Sequence, residues 1–332
     1  MISFIAIKNF RGINKGKIKG FVQLNVFIGK NNSGKSTILE SLAISQNPDM
    51  LPDIVNRRGW HGLDTILSIF RSRDIKKKIL IRNDNHKVEI NHIISQAHDV
   101  EFLTKTKGFD ERVIALNVKI TKDRTFIKKT RFYFDSKGNY QSFVGSESKE
   151  FEKVFFIDHR SIYGKTLIDA YNLVFEHGYK SHERLMNVLN EVYPEIVDVR
   201  LFSEEVGPEI IYKHEKVPFF AMGDGFKSAY IYLTHLMNIE NGYIICEEPE
   251  NYQHPSSRKL IVRGIIKSAK RNQIFISTHS IEFIDEILAE TANIDIKFFV
   301  PNLDENGKLD WYAFDKEEAE FRRRELEADL RG

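Results

Sequence analysis

The sequence predicts an α/β fold: a mixed sheet around a phosphate-binding loop and its helix, divided by a β-rich and helical insertion. Three observations carry this. The stretch GKNNSGKS at 29–36 follows an apolar strand and opens a helix. Two later apolar strands, YIICEE from residue 243 and QIFIST from residue 273, end in acidic or polar residues and alternate with helical stretches. Between these ends, residues 76–145 alternate apolar and polar like antiparallel strands.

The first element is ISFIAIKNF, which alternates as a strand does. Residues 1–46 read as strand, turn, strand, loop and helix. The loop has the pattern G-x-x-x-x-G-K-[ST], with Gly29, Gly34, Lys35 and Ser36 at the fixed positions. Glycines let successive N–H groups converge on one anion. Lys35 then reaches the β- and γ-phosphates, and the Ser36 hydroxyl ligates Mg²⁺. Asn32 sits where many such loops have glycine, and Asn tolerates the left-handed region. The plain alternative is a glycine-rich strand-to-helix turn.

Residues 47–75 read as a loop and then a helix. KILIRND, KVEINHII, VIALNVKI and RFYFDSKGNYQSF give the insertion its antiparallel strands, the last folded at D-S-K-G-N. VFFID at 154–158 is a buried strand. Two short helices follow over 165–193, broken near Gly178, and then a hairpin over 196–213 turning at Val206–Gly207. The α/β pattern resumes with helices after Gly225, after Pro255 and from Ile281, a hairpin around Glu305–Gly307, and a charged last helix. The core is therefore expected at 1–46 and 218–332, with the insertion at 47–217.

Composition narrows the classes. A chain of 332 residues with 42% apolar content can bury a large core. The net charge of +2 makes no global case for nucleic acid. Local basic runs at Lys76–Lys78, Lys128–Arg131 and Arg322–Arg324 read first as solvated faces. The single cysteine, Cys246, precludes an intrachain disulfide framework and suits a cytoplasmic protein. No apolar run is long enough for a membrane span, so no membrane partner is expected.

A phosphate loop needs a second strand bearing acids. YIICEEPE supplies Glu247 and Glu248 at a strand's carboxyl end, where open α/β sheets bind ligands. One acid serves the Mg²⁺ shell and the next polarises the attacking water as general base. QIFISTHS places His279 at the end of another strand, within reach of a γ-phosphate. Singly, these read as two surface glutamates and a structural histidine. Their order behind a phosphate loop favours chemistry.

GKNNSGKS, CEEPENYQHP and ISTHS, with AMGDGFKSAY at 221–230 and the opening ISFIAIKNFRGI, resemble the ABC-type ATPase heads. The likeness is greatest to the branch of overcoming-lysogenization-defect (OLD) ATPases and stand-alone AAA-labelled relatives. The structural-maintenance-of-chromosomes (SMC) heads are more distant cousins. The resemblance covers about 1–45 and 218–290; the middle matches only in order and size.

The resemblance implies an ABC-type P-loop head and a role for each motif. Gly29, Asn31, Asn32, Ser33, Gly34, Lys35, Ser36 and Thr37 belong to the Walker A loop. Glu247 takes the Walker B metal position, Glu248 is the catalytic base, and His279 is the switch histidine. Gly223, Asp224 and Gly225 form the signature loop, which reaches the γ-phosphate held by another subunit. ATP and Mg²⁺ are the implied cofactors. A head-to-tail homodimer sandwiching ATP, or a ring of dimers, is the implied assembly. The serine usual in such signatures is Gly223 here, so hydrolysis is expected to be slow. Gln46, Gln96 and Gln141 all stand as candidates for the glutamine loop.

The stretch after His279 has no Asp-x-Asp pair for the nuclease that OLD proteins often carry, and no sustained heptads suggest a coiled-coil arm. The favoured reading is an ATP-hydrolysing switch that controls a separately encoded effector, a nuclease or toxin, in prokaryotic anti-phage defence. The alternative is a DNA-associated repair ATPase of the SMC-like class, with Lys87, Lys122, Arg124, Lys128, Lys129 and Arg131 lining a groove. A transporter or translation-factor ATPase fits the insertion length less well.

Overall fold

The computed structural model describes every residue except 58–61, 123–124, 146–150, 164, 204–206, 291–292, 326–328 and 331–332. Arg124 of the basic set, Val206 of the expected turn and part of the expected loop after residue 47 lie outside the described residues.

The chain opens with β1 (Phe4–Phe10), β2 (Ile13–Lys19), β3 (Leu24–Ile28) and α1 (Lys35–Gln46). Two short helices, α2 (Leu51–Asn56) and α3 (Leu63–Leu67), lead to β4 (Ile79–Arg82), β5 (Lys87–Ile93), α4 (Ala97–Lys107), β6 (Val113–Lys122), β7 (Thr125–Asp135) and β8 (Tyr140–Val144). Next come β9 (Val154–Ile157), α5 (Lys165–Glu176), α6 (Tyr179–Leu189), β10 (Ile196–Ser203), β11 (Gly207–Tyr212) and β12 (Lys216–Pro218). The last part holds α7 (Asp224–Asn238), β13 (Tyr243–Glu247), α8 (Pro255–Ala269), β14 (Gln273–Thr278), α9 (Ile281–Ala289), β15 (Ile296–Leu303), β16 (Lys308–Asp315) and α10 (Lys316–Glu325). The chain divides into two compact units: Met1–Phe21, Asn31–Lys153 and Pro301–Tyr312 form one, and Val22–Lys30, Val154–Val300 and Ala313–Gly332 the other.

In the first unit the strand order is β8-β7-β6-β5-β4-β1-β2, antiparallel throughout. On β6, Leu116, Val118 and Ile120 are fully buried while Lys119 between them is exposed, the two-residue period of a pleated strand. Two elements depart from the expected order. Where a turn was expected, INKGKIK forms β2, which pairs with β1 through Ile5 and Ile18. Its lysines hide the strand pattern. Gly16 is required there, because a Cβ would stand 2.4 Å from Leu309 Cβ. Helix α4 also interrupts the expected run of strands. Only Leu103 of its residues is buried, so its apolar period is faint. It closes over Ala115 and Tyr133, and Gly108 ends it at φ 68.

Helix α1 is buried almost all round. Ile38, Leu39, Ala43 and Ile44 fill its contacts, and two of its buried serines are satisfied locally, while both amide atoms of buried Gln46 have no hydrogen-bond partner among the described residues. Ser41 Oγ donates to Thr37 O at 2.8 Å, and Ser45 Oγ accepts from Asn83 Nδ2 at 3.0 Å.

In the second unit, β15, β3, β14, β13 and β9 lie side by side in that order and run parallel. Every residue of β3 and β14 is buried, as parallel strands covered on both faces require. Asn25 is the buried polar residue of β3. Its side chain accepts from Val22 N–H at 2.8 Å and donates to Val22 O and Ile274 O. Helices α7, α8 and α9 contribute Leu233, Ile261 and Phe283 to the core of this unit. Strands β10, β11 and β12 form a small separate antiparallel sheet.

Candidate functional site

Parallel strands put their carboxyl ends at one edge, and the expected chemistry collects there. Ile28 ends β3 directly opposite Thr278 of β14, and Glu247 ends β13 opposite Ser277. The phosphate loop leaves from Gly29 beside the Thr278–His279 step and the acid pair. Asn31 to Thr37 continue the loop into the first unit.

The loop backbone has the turns its sequence implies. Gly29 has φ 136 and Gly34 φ 96, and Asn32 sits in the left-handed region at φ 64. Gly34 is the N-cap of α1, and no side chain caps that terminus. Lys35, Ser36 and Thr37 follow in the first turn, so the helix presents main-chain N–H groups and its positive end to an anion. Ser33 Oγ is buried and has no protein partner. An uncapped helix start, repeated positive φ and an orphaned hydroxyl fit a phosphate chain.

The acids are held with more constraint than the sequence alone shows. Glu248 follows β13 with φ 50, a backbone state that costs a non-glycine residue on the order of 1–3 kcal/mol. Its N–H donates to Ser277 O at 2.9 Å. Its Oε1 lies 3.1 Å from His279 Nδ1, and its Oε2 accepts from Asn251 Nδ2 at 3.0 Å. Both carboxylate oxygens are therefore oriented. Glu250 lies deeper. Its Oε1 accepts from Thr278 Oγ1 at 2.6 Å and from His279 N–H at 3.3 Å. Burial raises its carboxyl above the ordinary range, against the pull of those two bonds. Among the described residues no group of three or more His, Cys, Asp or Glu could hold a metal by itself. Mg²⁺ at a phosphate site needs only one or two protein oxygens besides the phosphates.

The expected signature residues start α7. Gly223 is its N-cap with extended φ −61 and ψ 146. Asp224 Oδ1 lies 2.6 Å from Lys227 Nζ, and its Oδ2 accepts from Tyr163 OH at 3.2 Å. The bond from Lys227 holds the Asp224 carboxyl below its usual value; burial opposes it, and the Lys227 charge and then the Tyr163 bond add to the lowering. Gly225 packs so closely that a Cβ would lie 2.7 Å from Tyr252 O, in the turn that follows Glu248. The second unit thus brings Gly29, Glu247, Glu248 and His279 to one strand edge, and sets Gly225 against the loop beyond Glu248.

Sequence reasoning passed over Glu250, Asn251 and Tyr163. The proximity of Glu250 and Asn251 to the acid pair in EEPEN was the available signal; Tyr163 gave none.

Residues 24–285 match a family described as "AAA domain, putative AbiEii toxin, Type IV TA system". The chain belongs to this AAA family. Among its relatives, a Helicobacter pylori protein named ATP/GTP phosphatase is 25% identical, over 97% of this AAA chain and 100% of that protein. An uncharacterized protein of Methanocaldococcus jannaschii is 38% identical over 23% of this chain and 68% of its own length. The crystal structure of an SMC head bound to the C-terminal winged-helix domain of ScpA shares the fold, with TM-score 0.52 and 12% identity over 96% of this chain and 99% of that one. The ABC-type head expected from the motifs is thus the fold of this AAA-family chain.

Proposed function

We propose that the chain binds ATP and Mg²⁺ and hydrolyses ATP with Glu248 as general base. The observation that carries this is the double anchoring of Glu248, by His279 and by Asn251, beside the start of the phosphate loop. Lys35 and the N–H groups of the Gly29–Thr37 loop hold the phosphates. Ser36 and Glu247 would hold Mg²⁺, which would supply positive charge to the phosphates. Glu248 takes a proton from the attacking water, and His279 reads the γ-phosphate. The name of the Helicobacter pylori relative supports hydrolysis.

Gly223, Asp224 and Gly225 meet the γ-phosphate of a second copy, so ATP closes a homodimer or a ring of dimers. Closure controls a separately encoded nuclease or toxin in the bacterial or archaeal cytoplasm, as in the OLD-like branch in which we place the chain. The toxin–antitoxin wording of the family description suits such a pairing. The DNA-groove alternative is less well supported. Lys128 is buried 2.7 Å from Asp49, Lys87 lies 2.5 Å from Glu89, and Arg131 bonds Tyr133 OH at 3.1 Å, so three of its cations are engaged locally.

The test is the solution mass and phosphate release of Glu248→Gln with and without ATP and Mg²⁺. The expected result is ATP binding, a shift to dimers, and turnover reduced by about 10²–10⁴. Wild-type turnover would move the base elsewhere, and an unchanged mass would remove the signature assignment.

A further inference from the structure

We propose that Glu250 is a positioning residue, whose carboxyl oxygen pins the Thr278–Ser280 turn and so sets the His279 ring against Glu248. This rests on the ATPase reading above for its catalytic consequence, but not for its geometry.

One oxygen organises three consecutive residues. Glu250 Oε1 accepts from Thr278 Oγ1 at 2.6 Å and from His279 N–H at 3.3 Å. Thr278 Oγ1 in turn accepts from Ser280 N–H at 3.0 Å. Ser280 Oγ then caps α9, accepting from Phe283 N–H at 3.1 Å. The strand end, the histidine and the next helix start are thereby fixed to one side chain that is 7% exposed. The same Oε1 is 3.8 Å from His279 Nδ1, while Glu248 Oε1 is 3.1 Å from it. The ring sits between two carboxyls, nearer the base.

The second oxygen shows what form the group takes. Glu250 Oε2 is sealed from solvent and has no hydrogen-bond partner among the described residues. A charged carboxylate with one unpartnered buried oxygen is costly, and a neutral carboxyl is much less so. The role therefore needs an acceptor oxygen in place rather than a negative charge. A glutamine can supply that oxygen; an alanine cannot.

The experiment compares Glu250→Gln, Glu250→Ala and Thr278→Val in the full chain. The readouts are kcat and KM for ATP, and the ring ¹⁵N resonances of histidine-labelled protein, with His279 assigned by their loss in His279→Gln. Glu250→Gln is expected to keep kcat within about threefold and leave the His279 resonances unmoved. Glu250→Ala and Thr278→Val are expected to shift those resonances and lower kcat by about 10–100-fold, with KM little changed, the scale of a small misplacement at a reacting group. Unmoved His279 resonances in Thr278→Val would overturn the proposal even if Glu250→Ala does not fold. So would a Glu250→Gln protein that folds but loses as much turnover as Glu250→Ala. A wild type that neither binds nor hydrolyses ATP would instead defeat the functional reading, while the nucleotide-free resonances would still decide the positioning.

Discussion

Arg11 Nε lies 2.5 Å from Glu40 Oε2, with the two side chains 9% and 1% exposed. Arg11 comes from the turn after β1 and holds φ 47. Its guanidinium also donates to Ile54 O at 3.0 Å. Glu40 stands in the middle of α1, the helix that the phosphate loop opens. The Asn-Phe-Arg opening thus has a physical task in its own unit: it anchors that helix from the side.

Breaking this pair from one side takes a close partner from a buried charge. Arg11→Met or Glu40→Leu is expected to cost about 3–5 kcal/mol, and the double variant less than the sum, because the bond between them is lost only once. Urea unfolding of the four proteins checks this. Additive losses would mean that the two residues act separately.

On the proposed function, variants of Lys35 and Glu247 are expected to separate nucleotide affinity from metal affinity. Lys35→Ala is expected to abolish ATP binding by calorimetry, since the γ-phosphate loses its nearest side-chain charge. Glu247→Gln is expected to raise the Mg²⁺ concentration needed for half-maximal turnover. Normal ATP affinity in the first variant would remove the loop assignment, and unchanged Mg²⁺ dependence in the second would remove Glu247 from the metal.

Much of this was legible in the sequence, for physical reasons. β3 and β14 are buried on both faces, so LNVFI and QIFIST read as strands without any context. The loop was legible because positive φ at Gly29 and Gly34 demands glycine. β2 and α4 were not. Lysine-rich INKGKIK is held as a strand by pairing with β1 and by a close approach of Leu309 at Gly16, a contact from far along the chain. Helix α4 buries one residue, so its pattern had little apolar content to read. Glu250 was hidden for a related reason: its partners, Thr278 and His279, come from another strand.

The two signature glycines differ in what they tolerate. A Cβ at Gly223 meets nothing within 4 Å, whereas at Gly225 it meets Tyr252 O at 2.7 Å. Gly223→Ser is therefore expected to leave stability unchanged or raise it by a few tenths of a kcal/mol through N-capping, and to tighten the ATP-dependent dimer by restoring a hydroxyl. Gly225→Ala is expected to cost about 1–3 kcal/mol, because a main-chain oxygen must move. Thermal melts and solution mass with ATP check both. A destabilised Gly223→Ser or a neutral Gly225→Ala would mean that the start of α7 is placed differently.

Asp198 gives the second unit an acid-sensitive point away from the site. Burial opposes its charge, but bonds from His182 Nε2 at 2.5 Å, Arg200 Nε at 2.5 Å and Val199 N–H at 2.8 Å outweigh it and hold the carboxyl below its ordinary value of 3.8. The unfolded chain therefore takes up this proton at a higher pH than the folded one. Stability from this group is complete above the ordinary value and is lost as pH falls through the lowered folded value. Asp198→Asn removes the titration. Its stability deficit against the wild type, measured by urea unfolding, is expected to be largest near neutral pH and to shrink steadily below about pH 4. A deficit that stays constant with pH would show that Asp198 acts through shape and hydrogen bonding alone, not through its charge.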